Sequence, residues 1–305
     1  MDHHRKRKLV ALLILAPTIP ELLTGSTPLW ELANPLNALI LVILYGFPAV
    51  ILREYVRERG LGRHSLMFLG MLEGVLVEGL AVNTFYSDSQ AKLGLFSSYG
   101  RFLGVNWNWA LYLTLFHSIY SVLVPVMLAD SLYPDGPLVG KRVRRYMMVA
   151  VAGVVLLFNL SGDTYWPAFP YYLLSIGMAL LIILLSRLQE DRPMIWDGLR
   201  FPPGKLYLFA PLFLVVAFFG LAGHVHPLIH AILGTVLYAS LYNTLRSLRD
   251  DWRIPRDLLA GLSVTGLIVA FLSTRYYVIP PAIAFLVLLS YWNRRIGGSE
   301  GIRMD

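Results

Sequence analysis

Residues 104–125 read GVNWNWALYLTLFHSIYSVLVP, a stretch without a single Asp, Glu, Lys or Arg. Wound as a helix at about 1.5 Å per residue, it is long enough to cross a hydrocarbon core of about 30 Å. Comparable runs recur on both sides of it. The 305 residues are 56% hydrophobic and 15% charged, with a mean hydropathy of +0.60, values that exclude a soluble globular domain. The reading is an all-α, polytopic integral membrane bundle, a single transmembrane domain over 1–305.

Apolar runs between charged or Pro/Gly-rich breaks predict about ten helices, at 9–24, 35–52, 65–84, 106–128, 145–161, 167–186, 205–222, 227–245, 257–274 and 277–293. The opening MDHHRKRK followed by LVALLILA resembles a secretory signal, but Pro17, Pro20 and Glu21 follow without a small-residue cleavage site, so an uncleaved first helix is expected.

Basic residues test the count, because Lys and Arg are retained on the cytoplasmic side. Of 26 Lys and Arg, all but Lys92, Arg101 and Arg275 fall at the amino terminus, in alternate connections or in the tail. Both termini are therefore expected in the cytoplasm, with the chain a multi-pass protein of the cell membrane. The net charge of +7 is read as topology, and no nucleic-acid partner is expected. With no cysteine, thiol chemistry is excluded. Residues 85–105 form the longest outer connection, read either as a lid over a site or as an interfacial connector.

Ionisable residues inside such segments are costly and mark pathways, relays or sites. Four stand out: Glu21 in PTIPELL, Glu73 and Glu78 in LGMLEGVLVEGL, and His117. Gly70, Gly74 and Glu78 recur every fourth residue, a small-residue stripe that admits a close helix and turns Glu78 toward protein. Glu73 and Glu78 diverge by about 140° on an ideal α-helix, so Glu73 is expected to play a structural part apart from the site. Asn106, His117 and Ser121 share one face of their helix. Glu78 and His117 are the candidate acid/base pair. Glu21 is their third partner beside a helix that Pro17 and Pro20 are expected to kink or break. Asn106 and Ser121 are candidate substrate-binding residues. His226 and His230, spaced i, i+4 in GHVHPLIH, are candidate metal ligands, with zinc as the metal.

The segments PELLTGSTP at 20–28, LEGVLVEGL at 72–80 and 104–125 resemble an uncharacterised family of prokaryotic polytopic membrane proteins. That resemblance covers the first 130 residues or so and implies one constellation of Glu21, Glu78, Asn106 and His117. A fainter similarity is to the CAAX-type (CPBP) intramembrane proteases, whose Glu-Glu pair corresponds to Val77-Glu78 and whose aromatic four residues before the histidine is Leu113 here. The ceramidase-like zinc hydrolases would use His226 and His230, but their SxxxH helix has no counterpart.

The first functional expectation is a membrane-embedded hydrolase, protease-like or metal-dependent, acting on a small-molecule, lipid or peptide substrate. A secondary or proton-coupled transporter is the alternative, although no inverted repeat is visible. A non-catalytic membrane assembly component is the third. In each case the lipid bilayer is the first partner.

Overall fold

A computed structural model describes residues 3–24, 27–88, 94–133, 136–161, 165–188, 192–202, 204–248 and 252–273, with 279–280, 283–284 and 287. Helices α1 (His3–Thr24), α2 (Pro35–Glu58), α3 (Arg63–Ala81), α4 (Trp107–Leu132), α5 (Lys141–Ser161), α6 (Phe169–Leu188), α7 (Leu206–Gly220), α8 (Pro227–Ser247) and α9 (Arg256–Ser273) coincide with the first nine expected segments. The tenth, 277–293, lies largely outside the described residues, as do 89–93 of the outer connection, Lys92, Arg275 and the basic tail. Among the described residues six helices, α2 to α6 and α8, are long and apolar enough to cross a membrane. The chain is an all-α membrane bundle.

Burial sorts the helices into hub and rim. In α4, 94% of the most apolar window is buried, in α3 72%, but in α5 and α6 only 22% and 11%. The hub pair therefore carries the polar chemistry, and the rim pair leaves apolar residues such as Val149, Leu157, Leu180 and Leu184 exposed. The glycine stripe lies where the sequence put it. A Cβ on Gly74 would stand 2.7 Å from the Thr114 Cα, and one on Gly70 3.0 Å from the Ser118 Cα, so α3 and α4 touch backbone to backbone.

Helix α1 corrects the expected break. Pro17 and Pro20 neither break nor end it, and the helix runs on to Thr24. Pro17 has no N–H for the Leu13 carbonyl, which would be its helical partner. Gly46 of α2 packs against that carbonyl so closely that a Cβ would stand 3.1 Å from it. The freed acceptor is covered by a neighbouring backbone, which is how proline is tolerated in a membrane helix.

Three helices of this core change pitch along their length. α2 is π-helical over Val42–Gly46, α3 over Val75–Ala81 and α4 over Ser118–Leu123. A fourth π segment, Leu212–Gly220, fills most of α7. In a π turn the backbone bonds i to i+5, so residues five apart come to lie on nearly the same side.

The outer connection is packed down. After α3 the chain turns through Asn83 at φ 61°, a left-handed conformation that asparagine tolerates. A short antiparallel hairpin pairs β1 (Arg101–Phe102) with β2 (Val105–Asn106) across Leu103 and Gly104, both with positive φ. Phe96 from the turn Gly94–Ser97 is buried among Trp109, Phe218 and His230. Arg101 donates to the carbonyls of Tyr86 and Ser87 and to Asn106 Oδ1. Its described residues pack over the bundle end as a cap.

Candidate functional site

His117 lies about ten residues into α4, roughly 15 Å along the axis from its start. Its Nδ1 stands 2.7 Å from Glu73 Oε2 and 3.1 Å from the Ser121 hydroxyl, and its Nε2 stands 3.3 Å from Glu78 Oε1. Each edge of one imidazole thus faces a carboxylate of α3. Glu73 is therefore not apart from the site, and that expectation is overturned. The α-helical 140° divergence does not apply, because the π segment starting at Val75 rewinds the helix between the two glutamates and His117 enters between them.

The surroundings of the three groups differ. Glu78 keeps some exposure, 14%, and its Oε2 accepts from the Thr84 hydroxyl, which itself accepts from Trp109 Nε1 at 3.0 Å. The cap thus holds the outer carboxylate. Glu73 is buried, its Oε2 faces His117 Nδ1, and among the described residues its oxygens have no further hydrogen-bond partner.

Glu21 joins at one remove. Its Oε1 accepts from the Tyr45 hydroxyl at 2.6 Å and its Oε2 from the Thr27 hydroxyl at 2.5 Å. The Tyr45 ring lies 5.6 Å from the His117 ring, centroid to centroid. The cluster therefore draws on α1, α2, α3 and α4. The π segments of α2, α3 and α4 include Tyr45, Glu78 and Ser121 respectively, and π turns are frequent at functional sites. Sequence reasoning missed Tyr45, Thr84 and Trp109. Tyr45 had one signal, a lone hydroxyl in LILVILYGFP beside Gly46 and Pro48.

Two expected substrate-binding residues are otherwise engaged. Ser121 partners the His117 ring itself. Asn106 is buried and holds the cap, donating to the carbonyls of Ser87 at 2.7 Å and Thr84 at 3.3 Å while accepting from Arg101. It positions Thr84, and through it Glu78.

The expected metal pair is not built as one. His226 caps α8 by accepting from the Leu228 N–H, and His230 places Nε2 on the Ala217 carbonyl and Nδ1 on the Asn108 amide. Both nitrogens of His230 are occupied, within an aromatic cluster in which Tyr112 stacks at 4.4 Å. Among the described residues no three His, Cys, Asp or Glu side chains are grouped to hold a metal. His117 separates Glu73 from Glu78 rather than meeting both at one point, so the zinc expectation has no donor set there.

A second buried charge cluster lies about 20 Å farther along α4, thirteen residues on, at Asp130. Arg53 of α2 places Nη2 2.7 Å and Nε 3.1 Å from Asp130 Oδ1, with Glu54 at 2.5 Å and the Gly136 carbonyl at 3.2 Å from Nη1. Lys8 of α1 also pairs with Asp130, and Arg57 approaches Oδ2 at 3.5 Å. Lys8 and Arg53, read from sequence as markers of topology, are buried.

Residues 10–291 match an uncharacterized membrane protein family. The chain belongs to that family. The match extends well beyond the first 130 residues on which the resemblance rested. No curated protein and no solved structure shows a match, and the similarity to CAAX-type proteases gains no support.

Proposed function

We propose that this family member is a membrane-embedded hydrolase whose reacting groups are Glu78 and His117. The observation that supports it best is the single imidazole held between two carboxylates. In this reading Glu73 and Ser121 fix the ring at Nδ1, as an orienting group must for Nε2 to serve in proton transfer. Glu78, the more exposed carboxylate, takes a proton from the attacking water. His117, protonated at Nε2, gives that proton to the leaving group as the scissile bond breaks, and the proton on Glu78 then passes to Nε2 and resets the pair. Glu21 and Tyr45 complete the polar wall.

A second reading, a proton-coupled carrier, is favoured by the succession Glu21, Tyr45, His117 and Glu73 across four helices, which resembles a relay. For both readings we propose one domain of ten spans in the cell membrane, with both termini cytoplasmic. The nine helices that match expected spans and the alternating basic clusters support that topology.

The test uses purified protein in vesicles with fluorogenic long-chain esters and amides. Turnover is expected, falling about 10²- to 10⁴-fold in Glu78→Gln with the fold retained. Turnover unchanged by that substitution, or no turnover together with Glu78-dependent proton flux, rejects the hydrolase reading, the latter in favour of the carrier.

A further inference from the structure

An open recess of about 660 Å³ lies where α1 begins. His3, Lys6, Arg7, Val10 and Ala11 of α1 line one side, and Tyr133 lines the other. Because α4 runs from Trp107 beside the cap to Leu132, Tyr133 marks the end of the bundle away from the cap. The five positions of α1 recur at helical spacing and so share one stripe. Ile14 continues that stripe, and Val10 and Ile14 are each 54% exposed. Neighbouring cations are engaged elsewhere, Arg5 on the Leu138 carbonyl and Lys8 on Asp130. Lys6 and Arg7 are exposed, and among the described residues their side chains pair with nothing. Among the described residues no acid lines the recess.

We propose that this recess holds the headgroup of an anionic phospholipid, with an acyl chain laid along Val10 and Ile14. The site stands apart from Glu78 and His117 and does not depend on the reading of that cluster. Its level follows from α1. The apolar run 9–16, LVALLILA, starts directly after the basic turn, so Lys6 and Arg7 stand where hydrocarbon gives way to headgroups. Charge selects the ligand. An arginine fork and an ammonium group with no acid beside them complement phosphate oxygens, and Tyr133 brings a neutral hydroxyl. The volume equals roughly twenty water-sized groups at about 30 Å³ each, which is room for a phosphodiester and its glycerol. The apolar side separates a lipid from a dissolved phosphate. Val10 and Ala11 offer a soluble anion no hydrogen bond, but they begin the surface on which a lipid chain lies. Basic pockets at this level of a membrane protein are suited to such headgroups.

The test places the full chain in phosphatidylcholine vesicles carrying a minor fraction of phosphatidylglycerol and counts, by native mass spectrometry, the lipids retained after detergent extraction. Phosphatidylglycerol should be retained in preference to phosphatidylcholine. Each cation near an anionic headgroup favours binding about fivefold, so the double variant Lys6→Gln, Arg7→Gln should weaken retention on the order of thirtyfold. The double variant Arg142→Gln, Arg145→Gln removes two charges from exposed positions at the start of α5 and should leave retention unchanged. A second measurement needs no variant. Phosphatidylglycerol with a diazirine on its acyl chain should label the wild-type chain around Val10 and Ile14. Equal retention of the two lipids, an equal fall in the two double variants, or labelling spread over the exposed faces of α5 and α6 overturns the proposal. Displacement of the lipid by soluble glycerol phosphate at matching concentration also overturns it, in favour of a site for dissolved phosphates.

Discussion

Two charge clusters lie inside one bundle, and they are finished differently. Around Asp130 every charge meets an opposite one. Arg53 reaches Asp130 and Glu54, and Lys8 and Arg57 close in on the same carboxylate. Around His117 two carboxylates of α3 share one imidazole, Glu73 at Nδ1 and Glu78 at Nε2. The first cluster ties α1, α2 and α4 together. The second sets one ring between two carboxylates of the same helix, an arrangement that a proton-handling site can use and a brace does not need.

The comparison breaks most readily at the brace. Asp130→Asn strips the central anion from Arg53 and Lys8, and removing one partner of a buried ion pair costs about 3–5 kcal/mol. The expected outcome is a large fall in the thermal midpoint in detergent. A midpoint like wild type would show that the network is not a brace. Gly74→Val should follow, at about 1–3 kcal/mol, because its side chain meets the Thr114 Cα. It should also reduce turnover, since His117 Cβ lies 3.3 Å from the same point. Stability lost with turnover per folded molecule intact would separate helix packing from the site.

Glu73→Gln sharpens the contrast from the other side. It takes the charge from one partner of a single pair, with His117, where Asp130 serves three cations, so the midpoint should fall less than in Asp130→Asn while turnover falls. A drop as large as that of Asp130→Asn would make Glu73 a structural residue after all. The smallest effect belongs to the surface group Asp197, whose hydrogen bond and ion pair with Arg200, and then Arg246, hold its pKa below the ordinary carboxylate range. A depressed folded pKa gives stability that is present above the unfolded value and lost as pH falls through the folded one. Asp197→Asn should therefore lower the midpoint slightly near neutrality and leave it unchanged at acid pH. A difference that grows on acidification would contradict that sign.

Much of the bundle was legible because length and apolarity alone specify a membrane helix. Nine expected segments became helices, and the Gly70, Gly74 stripe found its partner in α4. Glu78 and His117 were legible for the same reason, as ionisable groups on a protein-facing stripe. Glu73 was not, because the 3.6-residue wheel fails where α3 becomes π-helical. Nor was the brace. Arg53 and Lys8 look like any basic flank of a span, and only the fold shows Asp130 reaching them. The metal expectation rested on spacing alone, and spacing did not reveal that the Ala217 carbonyl and the Asn108 amide had taken both nitrogens of His230.

The most direct measurement follows His117→Gln in two readouts on one preparation, thermal midpoint and hydrolysis of a long-chain ester or amide in vesicles. A reacting histidine predicts a midpoint near that of wild type with turnover reduced about 10²-fold or more. A collapsed midpoint, or turnover that persists in a folded variant, would contradict the assignment of the Glu73, His117 and Glu78 cluster as the working site.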